Sequence, residues 1–174
     1  MENNNFYEVQ RFRQFWLWGL MLIVCLAVSL PFCWLLYEQL ILGRQWGDRP
    51  LGPTVLYIIT PVFILLGPVI SYMFYQMRLE TRVGEAGLLI NFFPLTKRII
   101  AYDEIKTCQA CTYRPVREYG GWGIRYGWKK GIAYNVSGNQ GVQLELVHGK
   151  RLLIGSQRPN ELAQAINVRL SQGL

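Results

Sequence analysis

The sequence is poor in the residue types from which enzymes build catalytic and metal sites. Its 174 residues include one histidine, four cysteines and eleven acidic side chains. The histidine, His148, lies in a predicted turn, and no neighbouring residue supplies the hydrogen-bonding partner that a general base needs. The acidic residues are scattered, and the phosphate-binding pattern GxxxxGK[ST] is absent. The sequence therefore disfavours an enzyme, and we expect neither a cofactor nor a bound metal.

The four cysteines fit neither a disulfide framework nor a zinc site. Cys25 and Cys33 lie in a long apolar run, and Cys108 and Cys111 form the only CxxC pair. A zinc ribbon needs a second such pair or histidines. The pair also falls in a predicted strand, where residues three positions apart point to opposite faces. We interpret Cys108 and Cys111 as two unrelated thiols.

Charge is absent from two long stretches, Gln14–Tyr37 and Pro50–Met77. A helix of about 20 residues crosses a hydrocarbon core of about 30 Å. A cleaved signal peptide fits the first stretch poorly, because the run is long and lacks a small-residue cleavage site. A buried core helix fits the second poorly, because Pro53, Pro61 and Pro68 would be costly in a soluble helix. Both stretches therefore predict transmembrane helices.

These stretches divide the chain into five segments. We predict a cytoplasmic N-terminal segment at 1–13, transmembrane helices at 14–42 and 54–77, a short external loop at 43–53, and a cytoplasmic β domain at 78–174. Two spans place both termini on one side, where four arginines flank the spans against two in the loop. The four are Arg11, Arg13, Arg78 and Arg82, and the two are Arg44 and Arg49. The positive-inside rule therefore favours cytoplasmic termini in an inner (plasma) membrane.

The C-terminal segment carries the whole formal net charge of +7, because basic and acidic residues balance before residue 77. Its short β-branched and aromatic runs, separated by turn residues, predict eight strands. They lie near 78–83, 87–92, 97–101, 105–113, 123–126, 132–136, 142–147 and 151–154. An amphipathic helix that begins at Pro159 follows them. The segment is therefore predicted to be a β domain closed by one helix.

Strands followed by a single C-terminal helix have the layout of a pleckstrin-homology-like (PH-like) barrel. Residues 79–172 resemble the bacterial PH-like domains that follow a pair of transmembrane helices. The resemblance rests on Gly87–Ile90, Ile100–Ile105, Gly121–Arg125, Gly141–Ser156 and Arg158–Leu162. It implies a membrane α-helical hairpin plus an α+β PH-like domain, a small antiparallel barrel of seven or eight strands capped by one C-terminal helix. A fold of this kind does not by itself specify a ligand.

Residues 114–130 combine basic and aromatic side chains with many glycines and a single acid. We predict that binding contacts come from Arg114, Arg117, Tyr119, Trp122, Arg125, Trp128, Lys129 and Lys130. Three interpretations stay open: contact with anionic lipid headgroups, contact with a protein partner, or packing of the aromatic rings within the domain. Single-stranded nucleic acid is disfavoured as a ligand because the domain is tethered to a membrane.

These features favour a non-enzymatic, membrane-anchored PH-like binding or scaffold protein that belongs to, or assists, a membrane protein complex. The expected partners are the lipid bilayer and either a membrane protein or a second copy of the chain. An anionic phospholipid headgroup-binding module is the alternative, and an enzyme is the least favoured function. Asn135-Val136-Ser137 matches the N-glycosylation pattern, but a cytoplasmic location would make that match fortuitous.

Overall fold

A computed structural model of the protein describes residues 6–44, 52–127 and 130–172. The chain divides into two compact units. The helical unit comprises Arg13–Tyr75, and the β unit combines the segment that ends at Phe12 with the chain from Gln76 onward. The β unit is therefore assembled from two pieces of sequence, with the helical unit inserted between them.

The helical unit consists of α1 (Phe15–Leu40) and α2 (Pro53–Gln76). Both helices are long and apolar enough to cross a membrane. Their side chains are exposed over most of their length, whereas the core helix of a soluble domain would be mostly buried. This exposure agrees with helices that face lipid and disagrees with the alternative of a soluble core helix for α2.

Contacts within the helical unit show that α1 and α2 pack as an antiparallel pair. The rings of Phe32 and Phe63 stack with centroids 4.2 Å apart, and those of Trp18 and Tyr75 meet edge to face at 6.4 Å. Between these contacts, Gly67 leaves room for the Cys25 side chain, which a Cβ at position 67 would overlap. The contacting residues of α1 are seven apart, a spacing that keeps them on one helix face.

Besides a short 3-10 helix (Tyr102–Glu104), the described part of the β unit contains nine strands and two further α-helices. In chain order they are β1 (Tyr7–Arg11), β2 (Arg78–Gly84), β3 (Gly87–Phe93), β4 (Thr96–Ile100), β5 (Ile105–Thr112), α3 (Pro115–Tyr119), β6 (Gly123–Gly127), β7 (Gly131–Asn135), β8 (Gln140–Leu146), β9 (Arg151–Gly155) and α4 (Pro159–Gln172). The first sheet has the order β1-β2-β3-β4 and is antiparallel throughout. The second sheet has the order β5-β8-β9-β7-β6.

Strands of both sheets and α4 enclose the main core. Its fully buried members include Leu79, Ile90, Phe92, Leu144, Leu152, Ile154, Leu162 and Ile166. Helix α4 packs chiefly against β5 and β8. A smaller cluster is formed by Tyr113, Tyr119, Ala133 and Leu153. Its β9 member, Leu153, alternates with the core residues Leu152 and Ile154 along that strand. The second sheet is therefore buried on parts of both faces.

The structure confirms a helical hairpin together with a β-rich region that ends in a helix. The eight strands predicted from residue 78 onward are all present, with ends that differ from the prediction by at most two residues. Two features of the described β unit were not predicted: β1 adds a strand from outside residues 78–174, and the strands form two sheets with a parallel β7–β9 pair instead of one wholly antiparallel barrel. The parallel pair arises because β9 returns antiparallel to β8 and fills the position between β8 and β7.

No sequence pattern predicted β1, which had been assigned to a separate N-terminal segment. β1 pairs with β2 over its full length, from Tyr7 opposite Arg82 to Arg11 opposite Arg78. Its inward-facing side chains are Glu8 and Gln10, whereas its apolar side chains point outward. This is the reverse of the apolar-in pattern on which strand prediction depends.

Candidate binding surfaces of the β unit

The predicted binding stretch, residues 114–130, separates into exposed, half-buried and buried members. Trp128 and Lys129 lie outside the described residues. Arg114, Arg117 and Arg125 are exposed. Trp122 is half-buried, and its indole donates a hydrogen bond to the Gly138 carbonyl at 3.1 Å. The stretch therefore does not act as one continuous exposed surface.

Tyr119 does not belong to this surface. Its side chain is 4% exposed, and its ring meets Tyr113 edge to face with centroids 6.0 Å apart. Burial raises the pKa of the Tyr119 hydroxyl to about 12, with Glu118 adding to the effect. The prediction that Tyr119 contacts a ligand conflicts with this burial, and packing within the domain is the interpretation that fits this residue.

Lys130 is neutralised by a neighbour. Its ammonium group, in the turn before β7, lies 2.7 Å from a carboxylate oxygen of Glu118 in α3. The hydrogen bond from Lys130 lowers the pKa of Glu118 below its ordinary value. Because the pair is largely exposed, it stabilises the fold by at most about 1 kcal/mol. The exposed positive charge of the described stretch therefore rests mainly on Arg114, Arg117 and Arg125.

A second basic surface lies in a cavity of about 730 Å³. Its lining includes Arg98 of β4, Lys150 of the β8–β9 turn and Arg151 of β9, together with Tyr126 and Glu145. In the described part of the chain, none of these three cations forms an ion pair with a carboxylate. Three cations against one acid favour an anionic ligand. We call this surface the cationic cavity.

The outward face of the β1–β4 sheet is open. Paired residues form three rows across it: Tyr7, Arg82, Leu89 and Ile99; Val9, Glu80, Asn91 and Lys97; and Arg11, Arg78 and Phe93. Tyr7, Val9, Phe93 and Ile99 are exposed even though they are large and apolar. Basic side chains outnumber the single acid on this face, and aromatic and arginine side chains are typical of protein interfaces. We call this surface the open sheet face.

A buried polar cluster ties β1 to the connection between β9 and α4. One carboxylate oxygen of Glu8 accepts a hydrogen bond from the Ser156 hydroxyl at 2.5 Å, and the other accepts one from the Gln157 backbone at 2.8 Å. The Gln10 amide donates to the Gly155 carbonyl at 2.8 Å. These bonds satisfy polar groups that burial would otherwise make costly. The segment before α1 is therefore an integral part of the β unit.

Arg158 reinforces the same connection from the surface. Its guanidinium donates a hydrogen bond to the Tyr7 carbonyl at 2.8 Å and lies over the Phe6 ring, 4.8 Å from its centroid. It also pairs with Glu161 at 3.2 Å in the first turn of α4. The donor from Arg158 occupies a backbone acceptor at the edge of β1, where an unpaired acceptor would invite another strand.

The CxxC cysteines point to opposite faces of β5, as predicted. Cys108 is buried beside α4, where Asn167 donates a hydrogen bond to its carbonyl at 3.3 Å. Cys111 packs instead against the Tyr113–Tyr119 cluster. Burial raises the pKa of both thiols, that of Cys108 to about 12. Thiols with raised pKa values are poor nucleophiles and poor metal ligands at neutral pH.

Two other motifs have structural surroundings that explain them. His148 lies in the turn between β8 and β9, as predicted. Asn135 is fully buried, and its side-chain oxygen accepts a hydrogen bond from the Gly123 backbone at 2.9 Å. An asparagine in this position is not accessible for glycosylation. Within the described ranges, no group of three histidine, cysteine or acidic residues is placed to hold a metal.

Sequence patterns did not identify the cationic cavity or the open sheet face. The cavity joins side chains from β4, β9 and a turn, and only the adjacent pair Lys150-Arg151 gives a local signal. The open sheet face depends on β1, which was not predicted.

Comparison with known proteins yields no match to this sequence, either among protein-family models or among curated proteins.

Proposed function

We propose that this protein is a non-enzymatic, membrane-anchored PH-like binding or scaffold protein of a bacterial inner membrane. Its helices α1 and α2 would span the bilayer, and its β unit would act at the cytoplasmic surface, within or beside a membrane protein complex. The length, composition and exposure of both helices support the anchor. The arginines that flank the helices support the cytoplasmic orientation.

The observation that carries this proposal is the pairing of β1 with β2 across the inserted helices. The chain leaves the sheet at Arg11 and returns at Arg78, and these two residues are partners in the ladder. Three residues separate Arg11 from α1, and Met77 alone separates α2 from Arg78. Even fully extended, these connections reach at most about 14 Å and 7 Å. A β unit attached in this way would stay at the membrane surface.

The open sheet face supports a protein as the partner. It exposes Tyr7 and Val9 on one edge strand and Ile99 on the other edge strand of a sheet face that the described residues leave uncovered. Exposed apolar side chains grouped with arginines are characteristic of interaction surfaces. The partner would be a membrane protein or a second copy of this chain, because the tether restricts the β unit to that location.

Arginine substitutions on the open sheet face test this function. The full chain should migrate in mild detergent as a complex larger than the monomer. Val9→Arg and Ile99→Arg should each dissociate that complex. Val116→Arg is the matched control, since Val116 is also exposed but lies on α3. A wild-type chain that purifies only as a monomer, or a complex that survives both sheet-face variants, would contradict the proposal.

Anionic phospholipid headgroups are a second candidate ligand, and the cationic cavity favours them. A phosphate group could contact Arg98, Lys150 and Arg151 together, with Tyr126 at the rim. The full chain should retain anionic phospholipid through detergent purification, measured by mass spectrometry of the extracted lipid. Changing these three cations to glutamine should reduce the retained amount severalfold. The pair of changes Arg114→Gln and Arg117→Gln should have a smaller effect, and the reverse order would assign the headgroup to residues 114–130 instead.

A further inference from the structure

One end of the β1–β4 sheet has an unusual grouping of side chains. The third row across the open sheet face places Arg11, Arg78 and Phe93 side by side. The turn between β3 and β4 continues from Phe93 through Pro94 and Leu95, and its Leu95 amide donates to the Phe92 carbonyl at 2.8 Å. Neighbouring strands are about 4.8 Å apart, so Phe93, at the start of this turn, lies about 10 Å from Arg11 along the row.

The same end of the sheet carries both connections to the apolar helices. Arg11 is the last residue of β1 before α1, and Arg78 is the first residue of β2 after α2. If the two helices span a membrane, the short connections hold Arg11 and Arg78 at its surface. The strand register places Phe93 in the same row as Arg11 and Arg78. The β3–β4 turn, which begins at Phe93, then also lies at the membrane surface.

The turn presents apolar side chains to its surroundings. Phe93 is 40% exposed and Leu95 is 58% exposed. By contrast, the β2–β3 turn at the other end of the same sheet exposes Glu85 and Ala86 between two glycines. Large exposed apolar groups therefore occur at the turn next to the helix connections and are absent from the described turn at the far end. This asymmetry is expected of a sheet with one end in lipid and the other in water.

The charges around the turn complement an anionic membrane surface. The guanidinium of Arg78 lies over the Phe93 ring, 5.1 Å from its centroid, so the cation and the aromatic ring share one location. Arg11 and Arg13 are exposed in the adjoining segment. Arginines near anionic headgroups bind their phosphates, while neighbouring aromatic and aliphatic side chains enter the boundary between headgroups and acyl chains.

We propose that the β3–β4 turn inserts Phe93 and Leu95 into the headgroup region of the membrane, while Arg11 and Arg78 contact lipid phosphates. This inference rests on the proposed membrane anchor and adds a third point of attachment to the two helix connections. A third attachment in this row limits turning of the β unit about the membrane normal, while tilting about the row itself stays free.

Photo-crosslinking of the full chain in cell membranes tests the insertion. A benzophenone amino acid is placed at Leu95 or, as the matched control, at Val147, which is also 58% exposed. Val147 lies in the β8–β9 turn, and its backbone amide donates a hydrogen bond to the Glu104 carbonyl. Near Glu104 in the chain, the Tyr102 hydroxyl donates a hydrogen bond to the Gly84 carbonyl, at the end of β2 that is remote from the helix connections. Irradiation should attach phospholipid at position 95, detected from the mass of the purified chain, and not at position 147.

The outcomes separate this inference from the membrane anchor. If the chain is extracted from membranes by alkaline carbonate, both the anchor and the insertion are wrong. If the chain resists extraction but position 95 gives a protein adduct or no adduct, the insertion alone is overturned. Lipid labelling at position 147 would also overturn it, because Val147 lies three residues from Lys150 of the cationic cavity, at the other end of the sheet. Such labelling would favour the alternative in which a lipid headgroup occupies the cationic cavity.

Discussion

Glu8 shows how a single buried carboxylate can hold a distant segment in place. It lies on an edge strand, yet its two oxygens accept hydrogen bonds from Gln10, Ser156 and the backbone of Gln157. All of these partners are donors, so the site is matched to a side chain with two acceptor oxygens and not to an amide. Hydrogen bonds to charged groups contribute more to stability than those between neutral groups.

Glu8→Gln should therefore destabilise the β unit by on the order of 2–3 kcal/mol, because the new amide group would face donors. The matched control is Glu161→Gln, which removes a solvent-exposed ion pair with Arg158 and should cost about 0.5 kcal/mol or less. Thermal unfolding of the full chain in detergent measures both changes. Equal midpoints for the two variants would show that the Glu8 cluster does not contribute to stability.

The raised pKa of Cys108 predicts that the β unit loses stability at alkaline pH. Its pKa is raised from 9.0 to about 12 on folding because burial disfavours the thiolate. The folded state then holds a proton that the unfolded state releases, so this contribution is complete below about pH 9 and is lost as the pH rises towards 12. Between pH 8 and 10 the free energy of unfolding should fall by about 1 kcal/mol from this group.

Cys108→Val should flatten this part of the pH profile, and the more exposed Cys33→Ala should leave it unchanged. The measurement is confined to pH 8–10, because the raised pKa of Tyr119 adds a similar effect only above its ordinary value of 10.0. An unaltered alkaline slope in Cys108→Val would place the responsible group elsewhere, with Cys111 as the next thiol to remove.

At the scale of elements, β1 and β2 form a hairpin whose connecting loop is the whole helical unit. Because Arg11 and Arg78 are paired, a short turn could join Phe12 directly to Met77. A soluble chain with Asn-Gly in place of residues 13–76 should fold, since Asn-Gly favours tight antiparallel hairpins. Residues 77–174 alone should be less stable by roughly 3 kcal/mol or more, because they lack the inward hydrogen bonds of β1.

Amide hydrogen exchange compares the two soluble chains. The joined chain should protect the amides of β2 and β9, and the shorter chain should exchange them faster because both strands lose their contacts with β1. Similar protection in the two chains would mean that β1 is dispensable for the β unit.

The elements also show where sequence patterns succeed and where they do not. The strands from β2 to β9 were predictable because their apolar residues face the core and turn residues bound them, as in the alternation of Val142, Leu144 and Leu146. Helix α3 was not predictable, because five residues after Pro115 give no helical period. The parallel β7–β9 pair follows from the order of the strands in the sheet, and the local alternation of apolar residues carries no information on that order. The cationic cavity was missed for a related reason, since its cations come from separate strands.

At the scale of the whole molecule, the proposed membrane anchor predicts the location of both termini. Reporters that are active only in the cytoplasm should function at the N-terminus and at the C-terminus alike. A reporter inserted between Arg44 and Arg49, in the connection between the helices, should be inactive. The prediction follows from the arginine distribution and from the pairing of β1 with β2, which requires both strands on one side. Opposite results at the two termini would contradict the anchor.

The inserted position of the helices has a consequence for biosynthesis. β1 is synthesised first, but its partner β2 follows only after both helices have been made. If the helices span a membrane as proposed, a chain in which α2 failed to integrate would have β2 on the opposite side from β1, and the two strands could not pair. Glu8 would then lose the hydrogen bonds from Ser156 and from the Gln157 backbone. The β unit would be incomplete and more susceptible to proteolysis. Pairing of β1 with β2 would therefore protect from degradation only those chains whose two helices have both inserted with the correct topology.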